Sequence, residues 1–453
     1  MTIFNAQQAQ KSVLPKSYGA EEIGARVVLT DYSLRELVDF AMTNRPSVVS
    51  AALKVADARL AFREIVADAP LVSYSPWTSP KLGLSGGYSA ASESSSSRLG
   101  WHTEGNAQAG LSLNILLYDF GRNESLAEAQ AERVLSSELE LVREGYKVFE
   151  EVSSAYFTLM ANDALLEVAL TNETEFAIHL EEAQSRLAAG EAQRLDVTRA
   201  RLDLSQAREQ TIAASNQVVT SGAELMRALG IDVSRGTRET VFPAVGHALS
   251  EVVRGFPRTA YGVDMAFSLA RTNAPGLAVS RAQLRAAACA VDFAVADLMP
   301  SVSAEIGLGW ADPLWAWHWG VSGVQSIFQG FRKVTAVDRA VVAMELAAAN
   351  VDEQEQKLSR DLETAIAVRD NALKELETAR VSVEAAKENL AVVKAQYHEG
   401  EASRVDFTDS VSDYARALGS RVTAFYKGQI AEACLFALIG RAPEYREEVL
   451  KEK

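Results

Sequence analysis

The stretch RNESLAEAQAERVLSSELELVREGYKVFEEVSSAYFTLMANDALLEVALTNETEFAIHLEEAQSRLAAG, Arg122 to Gly190, decides the fold. It holds no proline, and its apolar residues recur at alternating spacings of three and four: Leu135, Leu139, Val142, Tyr146, Phe149, Val152, Tyr156, Leu159, then Leu166, Leu170, Phe176, Leu180, Ala183 and Leu187. Asp163 and Glu173 are the polar exceptions in that row. This is the seam of a coiled coil. At about 1.5 Å per residue the helix would run to roughly 100 Å, so it needs partners along its whole length.

The stretch occurs twice. A shift of 210 positions lays Arg122 on Arg332, Gly190 on Gly400, Arg194 on Arg404, Asp196 on Asp406 and Gly230 on Gly440 without a gap. A second match, offset by 229, pairs Tyr32 with Tyr261, Asn44 with Asn273 and Pro46 with Pro275. The chain is therefore a tandem duplication. Its expected divisions are an extended leader over 1–30, a first repeat over 31–230, a linker over 231–260, a second repeat over 261–440 and a charged tail over 441–453. A helix beginning near Tyr32 should break at Pro46 and resume to Pro70.

Between helices the hydrophobic period drops to two. Leu82, Leu84 and Tyr88 alternate with polar residues, and Ala107, Ala109, Leu111, Leu113 and Ile115 do so more cleanly, around a Ser-rich loop at 91–104. The first hairpin is thus expected over about 80–116, with its long helical hairpin over about 117–230. The second repeat switches likewise after Pro300. Val302, Ala304, Ile306, Leu308 and Trp310 alternate with small and polar residues, then Trp315, Trp317, Trp319 and Val321 follow a turn at Asp312-Pro313. That places a hairpin over about 300–328 and a helical hairpin over about 329–440. Strands of this length cross a bilayer when tilted, and the four tryptophans suit a membrane interface. Four strands cannot close a barrel, and open edges in lipid leave backbone groups unpaired, so the chain must associate with copies of itself.

Composition narrows the functions. A net charge of −15 argues against a nucleic-acid partner. Cys289 and Cys434 are isolated, and His102, His179, His247, His318 and His398 are scattered singly, so no metal, cofactor or catalytic set is expected. No run of 18 apolar residues occurs, which predicts no transmembrane helix. Met1 to Arg26 lacks the apolar core of a signal peptide; if the protein is exported, the sequence is expected to be a mature form carrying an added methionine.

Over residues 31–440 the chain resembles the TolC-type outer-membrane efflux channels. The resemblance is carried by the duplicated helix-strand-strand-helix order and by the junctions Leu117-Tyr118-Asp119-Phe120-Gly121-Arg122 and Ile327-Phe328-Gln329-Gly330-Phe331-Arg332. The Asn44-to-Pro46 and Asn273-to-Pro275 sites and the two glycine turns, each with an aspartate beyond it, add to it. It implies a mainly α fold with a membrane β-barrel: a homotrimer with one 12-stranded barrel in the lipid of the outer membrane and a long coiled-coil tunnel through the periplasm. It implies an exit duct for drugs or other small molecules, served by an inner-membrane pump and a periplasmic adaptor and gated at the helical turns. The exit channel of a type I protein-secretion system has the same architecture, and a soluble coiled-coil scaffold is the alternative from another class.

The same resemblance assigns sites. Asp406 and Asp409 fall on positions that form carboxylate rings at the constriction, where crowding would raise their pKa values. Ser403-x-x-Asp406 equally has the form of a helix capping box. Asp196 and Tyr397 match the positions that tie the closed tip. The family's tip arginine falls on Ala402 here, which leaves Arg404 or Arg194 as substitutes. Gly190, Glu191, Gly400 and Glu401 occupy the adaptor-docking turns, with Glu where the family has Leu, which suggests a basic partner surface. Trp310, Trp315, Trp317 and Trp319 are the expected interfacial girdle.

Overall fold

The computed structural model describes residues 34–67, 80–94, 101–190, 193–231, 263–311, 314–325, 330–399 and 401–440. The leader, most of the linker and the tail named above lie outside them. In chain order the elements are α1 (Leu34–Asn44), α2 (Pro46–Ala67), β1 (Pro80–Ser94), β2 (Trp101–Tyr118), α3 (Arg122–Ala188) and α4 (Arg194–Ala228). The second half repeats the order with α5 (Val263–Asn273), α6 (Pro275–Ala296), β3 (Ser301–Ala311), β4 (Leu314–Val324), α7 (Arg332–Glu399) and α8 (Arg404–Ile439).

Packing divides the chain into two units, and each takes pieces of both repeats. One unit is drawn from Ala51–Leu141 and Gly276–Glu355 and contains the sheet. Its four strands are antiparallel in the order β1-β2-β3-β4, so the two hairpins join through β2 and β3. Register puts the apolar residues in rows: Leu84, Leu111, Leu308 and Trp317 are successive neighbours, as are Leu82, Leu113, Ile306 and Trp319. Because side chains alternate faces along a strand, these rows form one apolar face. It is exposed, Leu84 to 86% and Trp317 to 72%. Ser112, Asn114, Glu305 and His318 belong to the other face. The first hairpin is longer than its hydrophobic alternation indicates, since pairing continues to Ser94↔Trp101 through most of the stretch read as loop. Backbone pairing needs no apolar side chain, so the polar end of a hairpin is invisible to a hydrophobicity pattern.

The strand-to-helix junction has its own chemistry. Asp119 is buried, and its carboxylate accepts from Asn123 N at 2.8 Å, satisfying a first-turn amide of α3. Phe120 and Gly121 both take left-handed φ, +56° and +85°, as do Gly330 and Phe331 at the duplicated position. Asp297, past the end of α6, receives Arg122 at 3.2 Å and Lys333 at 3.4 Å, drawing both junctions to one carboxylate.

The other unit is helical. Met160 and Ala164 of α3 pack with Val422, Phe425 and Tyr426 of α8, and Phe149 packs with Ala433 and Ala437. The absence of an 18-residue apolar run does not hold as an exclusion at helix level. Among the described residues α8 is long and apolar enough to cross a membrane, but 61% of that window is buried inside the protein. Its hydrophobicity serves the core of the helical unit.

The first helix breaks at Arg45, as Pro46 requires, and Arg45 forms an ion pair with Glu151. Each break is covered by a helix-ending glycine of the same repeat. Gly230 (φ +78°) lies against Asn44 and Arg45, and Gly440 (φ +72°) lies against Asn273 and Pro275. Tyr146 Oη donates to the Gly440 carbonyl at 2.7 Å, fixing that end to α3. A methyl at Gly440 would collide with the Asn273 carbonyl and lie 3.1 Å from Pro275 Cδ. Gly440→Ala is expected to cost about 1–2 kcal/mol for the left-handed backbone and about 1–3 kcal/mol more for overpacking. A lowered Tm of the assembled protein checks this, and Gly419→Ala, whose added methyl would meet Leu165 at an ordinary 3.5 Å, is the milder control.

Candidate functional site

The two helical turns converge in one region of the helical unit. At the first, Gly190 takes φ +81° to reverse the chain, and α4 restarts with the Gln193 amide donating to Asp196 Oδ2 at 3.1 Å. At the second, Glu401 N donates to Gln396 O at 2.8 Å, and Ser403 begins α8. Ser403 N donates to Asp406 Oδ2 at 3.1 Å, and Ser403 Oγ lies 2.6 Å from the same oxygen while accepting from Asp406 N at 3.2 Å. The duplication thus places one cap twice, with Gln193 at the position of Ser403. Glu191 and Gly400 lie outside the described residues.

The cap bears on the gate reading. Ser403's hydroxyl, then its amide, hold the Asp406 carboxyl below the ordinary carboxylate range. Within the single chain, hydrogen bonds to the charged form outweigh the negligible burial. Asp409 stands one turn further on, exposed like Asp406, and a spacing of three keeps both on one helix face.

Neighbouring helices are tied by three sets of contacts. Arg404 Nη1 meets Asp203 Oδ2 at 2.6 Å, with both side chains about one-fifth exposed, and Lys394 meets Glu175 at 2.8 Å. Tyr397 stacks on Phe407 at 5.1 Å between ring centres and carries the Arg186 guanidinium 4.9 Å above its ring. Both ion pairs reach residues nine positions nearer the strands than the duplicated counterparts, Gln184 for Lys394 and Arg194 for Arg404. The second hairpin's tip is accordingly set back along the first. That offset gives the expected tie residues other contacts within one chain: Asp196 caps its own helix, Tyr397 lies against Arg186, and Arg404 binds Asp203.

A side chain to which the sequence assigns no role, His179, sits at the centre. His179 is 1% exposed, 5.4 Å from the Tyr397 ring and 5.1 Å from Phe407. It lies on a second buried stripe of α3, Met160, Ala164, Val168, Asn172 and His179, which the first seam omits. The signal was present as spacings of four and seven. It was hidden because small and polar residues occupy three of its five positions.

Within the sheet, the four tryptophans do not share one level. Trp310 and Trp315 face each other beside the turn, 6.5 Å apart, whereas Trp319 lies roughly 13 Å further along β4 at ~3.3 Å per residue. They form a stripe running along the apolar face.

The chain belongs to the outer membrane efflux protein family, which it matches over residues 37–231 and 266–441. It is 21% identical to the probable outer membrane lipoprotein SilC of Salmonella typhimurium over 95% of this chain and 91% of that protein. It is 24% identical to the toluene efflux pump outer membrane protein TtgI of Pseudomonas putida over 74% and 70% of the two chains. The crystal structure of CusC superposes with a TM-score of 0.75 at 19% identity, covering 90% of this chain and 92% of that one. The protein is an outer-membrane efflux component, and the soluble-scaffold alternative falls with that membership.

Proposed function

We propose that three copies of this chain form one duct across the outer membrane, the exit of a tripartite pump completed by a periplasmic adaptor and an inner-membrane pump. The observation that carries the reading is the sheet. It presents one exposed apolar face, and its order leaves β1 and β4 as edges. In lipid each unpaired backbone group costs several kcal/mol. Pairing β4 of one copy with β1 of the next removes every edge, and three copies give the twelve strands of the proposed barrel. The turns carrying Gly190, Glu191, Gly400 and Glu401 are the adaptor-docking points, and their glutamates favour a basic partner surface. Asp406 and Asp409 line the gate, and the contacts of Tyr397, Arg404 and Asp196 hold it. Small molecules are the cargo class in preference to secreted proteins, because TtgI is by name a toluene pump component.

Native mass measurement in mild detergent tests the assembly. A trimer is expected, and a stable monomer or dimer that retains the folded sheet would overturn the duct.

A further inference from the structure

We propose that His179 is an acid-operated wedge at the tip: as a neutral ring it holds the two helical hairpins together, and its protonation parts them. Its importance for opening rests on reading this end as the gate.

The geometry is that of a titratable ring placed where its charged form cannot be accommodated. His179 projects from α3 into an apolar cluster holding Phe176 of the same helix, Leu204 of α4, Tyr397 of α7 and Phe407 of α8. Neither Nδ1 nor Nε2 has a hydrogen-bond partner among the described residues. A neutral imidazole already leaves a donor and an acceptor unpaired there. An imidazolium would leave two charged donors unpaired, a far larger cost.

The surrounding charges do not rescue it. Glu182 and Arg186 approach from α3, Asp203 from α4 and Arg404 from α8. Glu182 and Asp203 favour the proton, Arg404 and Arg186 oppose it, and Asp203 is already committed to Arg404. From α7, Lys394 is paired with Glu175, and the phenol of Tyr397 is itself pushed above its ordinary pKa by burial. With these contributions opposed, burial dominates and lowers the pKa of His179.

The sign follows from linkage. A group whose pKa is depressed in the packed state supports that state above its ordinary pKa of about 6.5 and withdraws the support as pH falls toward the depressed value. Over that interval the ratio of parted to packed tips rises about tenfold per pH unit. Parting is local because the ring joins the first hairpin to α7 and α8 of the second.

The test is hydrogen–deuterium exchange on the assembled protein in detergent, following peptides spanning 174–190 and 390–411 at pH 7.5 and pH 5.5, corrected for intrinsic exchange. Protection of both peptides should fall, by up to about tenfold, in the parent and stay constant in His179→Phe. An equal acid response in His179→Phe overturns the wedge. Should that variant fail to assemble, the parent's imidazole C2 proton decides: titration at an ordinary pKa with unchanged protection overturns it equally. Conductance in planar bilayers is read separately. Acid-dependent exchange at constant conductance sustains the wedge and removes the gate from this end.

Discussion

Leu111→Arg is expected to abolish assembly of the membrane sheet, and Leu113→Arg to do nearly the same. Leu111 stands in the row Leu84, Leu111, Leu308, Trp317, with an apolar neighbour on either strand beside it. An arginine on a lipid-facing position near the midplane costs about 2–4 kcal/mol, and in a trimer the cost recurs in every copy. Asn114→Arg, one residue beyond Leu113, points to the opposite face and should assemble close to normally. Recovery of heat-modifiable oligomer from outer membranes measures the difference. Equal losses from Leu111→Arg and Asn114→Arg would mean that the apolar face does not meet lipid.

How far these features were legible depends on which interactions carry them. The long helices, the break at Pro46, the glycine turns and the alternating strands announce themselves through local rules: periodicity, proline's missing donor and glycine's positive φ. The β2–β3 pairing is not local. It joins residues nearly 200 positions apart and appears only once both apolar rows are brought into register. The second stripe of α3 was obscured for a related reason. A helix packed on two sides shows two overlapping patterns, and Asn172 and His179 break the one that faces the second hairpin. The nine-position setback of the tips is the least legible feature. The duplication suggests equal levels, yet Glu175–Lys394 and Asp203–Arg404 fix a displaced register through side-chain reach. Repetition in sequence therefore did not carry over into symmetric contacts, and Tyr397 came to rest beside His179 and Arg186.

Neutralising Asp406 and Asp409 together is expected to remove cation selectivity and polyvalent-cation block from the reconstituted channel. Both carboxylates are exposed, lie on one face of α8 and belong to the first turns after the tip. In the proposed trimer they supply six charges to one constriction. Like charges crowded at a constriction repel one another, so a bound di- or trivalent cation is favoured. The cap constrains how the test must be made. Asp406→Ala would remove the acceptor for Ser403 N and loosen the start of α8, mixing a structural loss with an electrostatic one. Asp406→Asn keeps an oxygen there while removing the charge, and Asp409→Asn is free of the complication. Within one chain Ser403 holds the Asp406 carboxyl low, and repulsion within the proposed ring opposes that hold. Reversal potentials in asymmetric salt and block by trivalent cations, recorded for the parent and Asp406→Asn/Asp409→Asn, provide the measurement. A double variant that remains as cation-selective and as readily blocked as the parent would leave Asp406 as a helix cap and Asp409 as solvated surface.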